Sequence, residues 1–312
     1  MNSIDPAAGE GRVAIVTGAG RGIGREHALA LAARGYAVVV NDLGVGLHGE
    51  TGAETPAEAV AGEIRAAGGQ AVASAHDVSD WSAAAALVQL AIGEFGRLDV
   101  LVNNAGIIRD AVLYKLTERD WDDVIRVHLR STAATAHHAA VHWRDRFQTG
   151  GPVGGRLINT TSASGMFGNV GQVNYAAAKA GIIGFSLTAS LELKRYGVTV
   201  NVIAPMAASR MLDSVAALGE LDLHPRYVAQ VAAWLCDPSA QAVTGRVIAV
   251  GGRDVYIGHG WSPGPAGRLS PDGDSGHDHN LLSALAAAAD PNTDSATGTP
   301  IRVGSRASRS GR

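Results

Sequence analysis

Seven short apolar runs alternate with longer stretches of helical periodicity between residues 12 and 257. The runs lie at residues 13–17, 37–41, 71–76, 98–103, 156–160, 199–204 and 246–250. Nearly continuous apolar runs of this length are typical of strands that are buried on both faces of a sheet. Helices are predicted between them, near residues 22–34, 56–67, 82–95, 118–146, 174–196 and 225–236. Because parallel strands need crossover connections, the alternation predicts an α/β fold. We expect a single doubly wound, Rossmann-type domain with a seven-stranded parallel sheet and helices on both faces.

The two ends of the chain differ from this region. Residues 1–10 are expected to be a flexible N-terminus, and residues 11–260 to form the domain. Residues 261–312 are rich in Pro, Gly, Asp and Ser, so they bury too little apolar surface to offset the entropy lost on ordering. The sequence therefore predicts a mostly flexible C-terminal tail, with one short helix at residues 281–289.

Composition excludes several classes of protein. With 46% hydrophobic and 18% charged residues, the 312-residue chain is globular rather than disordered, and its net charge of −3 offers no basic field for nucleic acid. Cys236 is the one cysteine, which excludes an intrachain disulfide. The histidines at 137, 138 and 142 lack a carboxylate or cysteine at ligand spacing, so no metal site is expected. The sequence shows neither the pattern of a signal peptide nor a run of about 18 apolar residues. We therefore expect a cytoplasmic protein with no membrane span.

A glycine-rich segment follows the first predicted strand directly. Residues 17–24 read TGAGRGIG, and a helix is predicted to begin near Gly22. Glycines let the backbone turn tightly and approach a pyrophosphate, which binds the free N–H groups at a helix N-terminus. The segment therefore predicts a dinucleotide cradle made by Gly18, Arg21, Gly22, Ile23 and Gly24. The alternative is a glycine-rich turn that binds no ligand.

The second and third predicted strands end in carboxylates that bear on the choice of nucleotide. Asp42 lies eighteen residues past Gly24, where it can accept both ribose hydroxyls of NAD and repel a 2′-phosphate. Arg21 opposes this preference, because a guanidinium could pair with the phosphate of NADP. We predict NAD as the cofactor, with NADP left open. Asp77 and Val78 are predicted to contact the adenine, and the alternative is an ordinary aspartate at a strand end.

Three side chains downstream have the chemistry of a proton-transfer site. Tyr175 and Lys179 are four residues apart on a predicted helix, so the phenol and the ammonium share one face. A nearby cation lowers the pKa of a phenol and makes it usable as a general acid or base. Ser162 closes the fifth predicted strand, at the edge where ligands meet an open α/β sheet. We predict that these three residues are catalytic.

Taken together and in this order, five motifs resemble the short-chain dehydrogenase/reductase family over roughly residues 11–252. They are TGAGRGIG at 17–24, NNAG at 103–106, Ser162, YAAAK at 175–179 and NVIAP at 201–205. The resemblance implies that Tyr175 transfers the hydroxyl proton, Lys179 binds the nicotinamide ribose and Ser162 orients the substrate oxygen. Tyr175 and Lys179 would thus also contact the cofactor. The resemblance adds further cofactor-binding residues, namely Asn104, Ala105, Gly106 and Pro205.

The chain departs from the family pattern at two positions. His128 stands on the long central helix where the family usually has an asparagine that holds a water in the proton relay. A neutral imidazole could take that role, or His128 could simply pack in the helix. Met206 follows Pro205 where the family usually has a glycine, which predicts a different loop above the nicotinamide.

Longer stretches are similar to one branch of the family. These are VVVNDLG at 38–44, NNAGIIRD at 103–110, RVHLR at 126–130, SASGMFGNVGQVNYAAAK at 162–179 and APMAASRM at 204–211. They resemble the (3R)-hydroxyacyl-CoA dehydrogenase domain of peroxisomal multifunctional enzymes of type 2 (17β-hydroxysteroid dehydrogenase type 4) and its single-domain bacterial relatives, where histidine also occupies the helix position.

This resemblance implies an NAD-dependent oxidoreductase that acts on a 3-hydroxyacyl-CoA with a fatty-acyl or steroid side chain. It also implies a homodimer or homotetramer. Arg109, Arg210 and Arg226 are candidates for contacting the CoA phosphates. The alternatives are a 3-oxoacyl-carrier-protein reductase, a hydroxysteroid or secondary-alcohol dehydrogenase, and a non-catalytic dinucleotide-binding sensor or scaffold.

Overall fold

The computed structural model describes residues 9–44, 55–151, 153–206 and 223–258. Its strands are β1 (Val13–Thr17), β2 (Ala37–Asn41), β3 (Ala71–Ser74), β4 (Val100–Asn103), β5 (Arg156–Thr160), β6 (Thr199–Met206), β7 (Val247–Gly251) and β8 (Asp254–Gly258). Its α-helices are α1 (Gly22–Ala32), α2 (Pro56–Ala66), α3 (Trp81–Phe95), α4 (Glu118–Ile125), α5 (Ser131–Gln148), α6 (Ala163–Phe167), α7 (Val173–Leu193) and α8 (Arg226–Cys236).

All strands form one sheet in the order β3-β2-β1-β4-β5-β6-β7-β8. The first seven strands are parallel, which confirms the predicted doubly wound sheet, but β8 adds an antiparallel edge strand beside β7. The seven predicted parallel strands are all present, and β8 is one additional strand at the edge of the sheet. The hydrophobic pattern does not indicate β8, because its apolar run at 255–257 has three residues and is exposed. Gly252, with a φ of 58°, makes the turn that joins β7 to β8.

Helices cover both faces of the sheet because successive strand residues point to opposite sides. Val16 packs into the core under α1, α2 and α8, whereas its neighbour Ile15 packs into the core that includes α3, α5 and α7. The order of connections reverses between β1 and β4, and ligands bind open α/β sheets in the crevice at such a reversal. The crevice lies at the carboxyl ends of these strands, beside Thr17 and Asn103.

Two helical features differ from the sequence prediction. The helix predicted at 118–146 is α4 and α5 joined by a π turn, Arg126–Arg130. The short helix α6 follows β5 and is not predicted, because five residues are too few to show a helical period.

Helix α7 is the most apolar long helix among the described residues. Together with its last turn, at Val173–Tyr196, it is long and apolar enough to cross a membrane by length and composition alone. However, it packs against β6, α4 and α6, and it buries the polar side chains Asn174, Lys179 and Ser186. A helix that buries polar groups against a sheet is part of a protein core, so we assign α7 to the core of this domain.

The chain divides into two units, Met1–Gly258 and His259–Arg312. All described residues belong to the first unit. Residues 1–8, the predicted tail at 261–312 and its predicted helix at 281–289 lie outside the described residues.

The end of the sheet opposite the crevice contains a buried charge. Asp99 precedes β4 and is fully buried; its carboxylate accepts a hydrogen bond from the backbone N–H of Val13 at 2.9 Å. Arg97 binds both carboxylate oxygens, at 2.7 and 2.6 Å, and a nitrogen of Arg146 lies 3.7 Å away. A buried carboxylate is tolerated when it is paired and hydrogen-bonded in this way.

We expect the substitution Asp99→Ala to lower the free energy of unfolding by about 3–5 kcal/mol, because it removes one partner of a buried ionic network. Urea unfolding followed by circular dichroism measures the loss. The control is Asp145→Ala, which breaks the exposed pair with Arg144 and should cost less than about 1 kcal/mol. Equal losses in the two variants would contradict the assigned role of Asp99.

Candidate active site

The glycine-rich segment forms a turn between β1 and α1. A Cβ atom at Gly24 would lie 2.1 Å from the carbonyl oxygen of Gly18 and 2.6 Å from Nδ2 of Asn104, so no side chain fits there. Gly22 has a φ of 54°, and a Cβ atom at that position would meet nothing within 4 Å. Arg21, the N-cap residue of α1, makes no side-chain hydrogen bond to the first turn. The cradle therefore offers free N–H groups and open space at a helix N-terminus, which fits a pyrophosphate.

The NNAG segment is held against the end of β1 by Thr17. Its hydroxyl oxygen accepts hydrogen bonds from the backbone N–H groups of Asn104 at 3.0 Å and Ala105 at 3.1 Å. The Asn104 side chain donates to the carbonyl oxygens of Thr17 and Gly18 at 3.1 and 3.2 Å. Thr17 is not among the predicted site residues, although its position directly before the glycines could have indicated it. Gly106 completes the segment, with the ring of His128 where its side chain would stand.

Asp42 lies at the edge of the cradle. Its carboxylate accepts hydrogen bonds from the backbone N–H of Gly20 at 2.9 Å and of Gly44 at 2.8 Å. These contacts fix the carboxylate beside the glycine turn and leave each oxygen further capacity to accept from a hydroxyl. Arg21 is exposed at the same turn, and Ile23 is half-buried.

Asp77 and Val78 lie past the end of β3, two strands away from the cradle. Asp77 accepts hydrogen bonds from the backbone N–H and the hydroxyl of Ser79, at 2.9 and 2.6 Å. Arg126, in the π turn, places a nitrogen 3.6 Å from the same carboxylate. Val78 is buried. Their predicted contact with adenine stays a prediction.

The structure brings Ser162, Tyr175 and Lys179 together at the carboxyl end of the sheet. Ser162 follows β5 as the N-cap of α6, and Tyr175 and Lys179 lie on the first two turns of α7. Lys179 is buried; its Nζ donates to the carbonyl oxygen of Thr160 at 2.7 Å and lies 5.6 Å from the centre of the Tyr175 ring.

Burial dominates the electrostatics of this group. Burial raises the pKa of Tyr175 to about 12. Within that value, a hydrogen bond to the Ser162 side chain lowers the pKa, and the Asp110 carboxylate raises it by less. Burial also lowers the pKa of Lys179 to about 7. The sequence predicts that the Lys179 charge lowers the pKa of Tyr175, but in the structure the effect of burial is larger and the pKa is raised. The reason is that a buried lysine is itself driven toward its neutral form, so it offers less positive charge to the phenol.

His128 lies in the π turn between α4 and α5. Its Nε2 is 2.7 Å from the carbonyl oxygen and 3.1 Å from the amide nitrogen of Ile107, so either tautomer makes one hydrogen bond. Its ring meets the Tyr175 ring edge-on, with the ring centres 5.1 Å apart. Burial, together with a smaller effect of the Lys179 charge, lowers the pKa of His128 to about 3. His128 is therefore a neutral imidazole that links the NNAG segment to Tyr175. The π turn itself has no sequence signal, although such turns often mark functional sites.

Asn174 is a further buried residue of the site that the sequence analysis misses. Its amide nitrogen donates to the carbonyl oxygens of Arg109 at 2.9 Å and Asp120 at 3.1 Å, and its oxygen accepts from the N–H of Tyr175 at 2.8 Å. It thereby fixes the start of α7 against α4. A buried amide directly before the tyrosine is the signal that could have indicated it.

Of the remaining predicted residues, the structure describes Pro205, Arg109 and Arg226. Pro205 lies at the carboxyl end of β6, where it pairs with Val250 of β7. Arg109 donates to the carbonyl oxygen of Ile108 at 2.9 Å, and Arg226 lies at the start of α8. Arg210 lies outside the described residues. Within residues 9–44, 55–151, 153–206 and 223–258, no group of three His, Cys, Asp or Glu side chains could hold a metal ion.

Comparison with known proteins identifies the family of this chain. The family model for short chain dehydrogenases matches residues 12–216. The chain is also similar to a solved structure of a short chain dehydrogenase from Mycobacterium avium, with 47% sequence identity and a TM-score of 0.77. That similarity covers 88% of this chain and 95% of the solved chain.

Two curated relatives indicate the branch. The hydroxyacyl-CoA dehydrogenase ChsB1 of Mycobacterium tuberculosis is 42% identical over 284 residues, which cover 88% of this chain and 87% of that protein. The peroxisomal hydratase-dehydrogenase-epimerase of Neurospora crassa is 42% identical over 248 residues, or 79% of this chain. The matched part is 27% of the Neurospora protein. The fold, the assembled site and these matches lead to one conclusion: the chain belongs to the short-chain dehydrogenase family and is an oxidoreductase that acts on CH–OH groups.

Proposed function

We propose that this protein oxidises 3-hydroxyacyl-CoA thioesters with NAD, the acyl group being a fatty acid or a steroid side chain. The observation that carries the proposal is the convergence of Ser162, Tyr175 and Lys179 beside a cradle whose edge carries Asp42. The M. tuberculosis relative, which this chain matches over most of its length, is a protein named hydroxyacyl-CoA dehydrogenase, and this supports a CoA thioester as the substrate class. A cytoplasmic location and a homodimer or homotetramer stay predictions.

The chemistry follows from what each side chain can do. Ser162 would donate a hydrogen bond to the substrate oxygen and hold it against Tyr175. Tyr175, as the phenolate, would take the proton of the hydroxyl in oxidation, and as the phenol it would return that proton in reduction. When bound, NAD supplies the hydride acceptor. Lys179 and Tyr175 would hold the nicotinamide ribose. Asn104, Ala105 and Gly106 would line the cofactor, and the stretch around Pro205 would hold its carboxamide. Gly18, Arg21, Gly22, Ile23 and Gly24 would hold the pyrophosphate.

The direct test is the formation of reduced nicotinamide by the purified protein. NAD and NADP are compared over a panel of 3-hydroxyacyl-CoAs, free hydroxysteroids, simple secondary alcohols and acyl-carrier-protein thioesters. Faster oxidation of the CoA thioesters with NAD than of the other substrates is the expected result. Preference for NADP or for free alcohols would overturn the proposed cofactor or substrate while leaving the family assignment intact.

We expect Tyr175→Phe to lower turnover by at least about a hundredfold, because it removes the hydroxyl that transfers the proton. NAD binding, followed by calorimetry, should survive, since the cradle is untouched. Phe185→Tyr, on the same helix away from the site, serves as a control that should keep normal turnover. Retention of turnover by Tyr175→Phe would show that another group transfers the proton.

Asp42→Ala should lower kcat/KM for NAD by about 10- to 100-fold, because it removes charged hydrogen-bond acceptors for the ribose. The same variant should gain activity with NADP, since the carboxylate that repels a 2′-phosphate is gone. Asp42→Asn keeps an acceptor without the charge, so it should gain NADP activity with a smaller loss for NAD. An unchanged ratio of the two kcat/KM values in both variants would rule out Asp42 as the selector.

The buried neutral state of His128 predicts how stability depends on pH. The pKa of His128 is about 3 in the folded protein, against the usual value of 6.5 in the unfolded chain. Between these values the unfolded chain binds a proton that the folded protein does not, so the free energy of unfolding falls as the pH drops below 6.5. At pH 5 the loss is about 2 kcal/mol, from the 1.5-unit distance below the unfolded pKa.

His128→Asn should lose less stability than the native protein between pH 7 and pH 5, because asparagine does not titrate. Urea unfolding of both proteins at the two pH values measures the difference, and other titrating groups such as His27 cancel in the comparison. Equal losses in the two proteins would mean that His128 is not held neutral by burial.

A further inference from the structure

The side chain of Gln172 lies where three segments of the active site meet. Its Oε1 accepts hydrogen bonds from the Ser164 hydroxyl at 2.8 Å and from the Asn169 amide at 3.0 Å. Its Nε2 donates to a carboxylate oxygen of Asp110 at 3.0 Å. Asp110 follows the NNAG segment, Ser164 follows the catalytic turn after β5, and Gln172 immediately precedes α7.

The orientation of this amide is determined by its partners. The Asn169 amide nitrogen can only donate, and an ionised carboxylate can only accept. A reversed Gln172 amide would set two N–H groups against each other and an oxygen against the Asp110 carboxylate. Gln172 therefore supplies both an acceptor and a donor at this position, which neither an ionised glutamate nor a hydrophobic residue could do.

The contacts of Gln172 continue into the catalytic groups. The backbone N–H of Ser164 donates to Oγ of Ser162 at 3.2 Å. The carbonyl oxygen of Gln172 accepts from the N–H of Ala176 at 2.7 Å, in the first turn of the helix that carries Tyr175. Beside these contacts, the N–H of Ala111 donates to the carbonyl oxygen of Gly171 at 2.8 Å. One side chain thus connects the turn of Ser162, the helix of Tyr175 and the loop of Asp110.

We propose that Gln172 is a positioning residue that sets the distance between the Ser162 hydroxyl and the Tyr175 phenol, through its donor bond to Asp110 and its acceptor bond to Ser164. The proposal rests on the proposed function, in which these two hydroxyls share the substrate oxygen. Catalysis is sensitive to such distances, because small displacements of reacting groups cost large factors in rate.

The charged bond to Asp110 is also part of the surroundings of Tyr175. The polar groups that face Tyr175 are Ser162 after β5, His128 in the π turn, Lys179 on its own helix and Asp110 after the NNAG segment. Asp110 supplies the negative charge in this set. Holding its carboxylate on Gln172 keeps that charge at a fixed distance from the phenol.

The test exchanges the amide of Gln172 and the carboxylate of Asp110, first one at a time and then together. Gln172→Glu sets two carboxylates against each other and should lower kcat/KM for the alcohol by about 10- to 100-fold, with little change in KM for NAD. Asp110→Asn removes the charge-assisted hydrogen bond and should lower kcat/KM for the alcohol by a smaller factor. The double variant D110N/Q172E restores a donor facing a carboxylate with the native net charge, so it should recover to within about threefold of the native kcat/KM.

Rescue by the double variant is the decisive result. Losses that simply multiply in the double variant would overturn the proposal, as would native kcat/KM in Gln172→Glu. The matched control is Gln241→Glu, which changes a glutamine bonded to the carbonyl oxygen of Gly197 and should leave kcat/KM unchanged. The variants are assayed with whichever alcohol of the panel the native protein oxidises, so a wrong substrate class does not decide the outcome.

A second readout requires no turnover. The titration of Tyr175 is followed by ultraviolet absorbance, as the difference between each protein and its Tyr175→Phe counterpart. Asp110→Asn should move the titration to lower pH, Gln172→Glu to higher pH, and the double variant should return close to the native curve. If both single variants titrate as the native protein does, the proposal fails even where no substrate is found.

Discussion

The missing side chain at Gly24 is the constraint on which the site depends. It allows the first turn of α1 to approach the carbonyl oxygen of Gly18, which places the helix N-terminus directly above the end of β1. The Asn104 amide fills the adjacent space and ties the end of β4 to the same point. A methyl group at residue 24 would push these elements apart and close the cradle. The shape of the proposed cofactor cradle thus depends on one close approach of backbone to backbone.

The site on the other side of the crevice is notable for how little charge it exposes to solvent. Tyr175, Lys179 and His128 are all buried, and burial favours the neutral form of each. A dry environment strengthens every hydrogen bond made within it. The proton transfer proposed for Tyr175 would therefore take place among groups whose charged forms are disfavoured by burial.

Much of the fold and the core of the site could be predicted from the sequence. Buried parallel strands leave nearly continuous apolar runs, and the glycine, serine, tyrosine and lysine motifs lie at fixed distances along the chain. Strand β8 could not be predicted because its apolar run is short and exposed, and the π turn leaves no signal in the sequence. The direction in which the pKa of Tyr175 shifts could not be predicted because it depends on burial by segments distant along the chain. The bond between Gln172 and Asp110 joins residues 62 positions apart, so no local pattern indicates it. The spacing of apolar residues along the chain indicates which residues are buried. The hydrogen-bond partner of a buried polar group, in contrast, is determined by the complete tertiary structure.

The buried Asp99 lies at the amino end of the sheet, and Ser162, Tyr175 and Lys179 lie at the carboxyl end. With strands of four to eight residues and a rise of about 3.3 Å per residue, the two ends are separated by more than about 10 Å of packed core. Substitutions at such distances usually add independently in their effect on stability. Stabilising substitutions at the amino end of this domain could therefore offset the stability lost through substitutions around the crevice that change specificity.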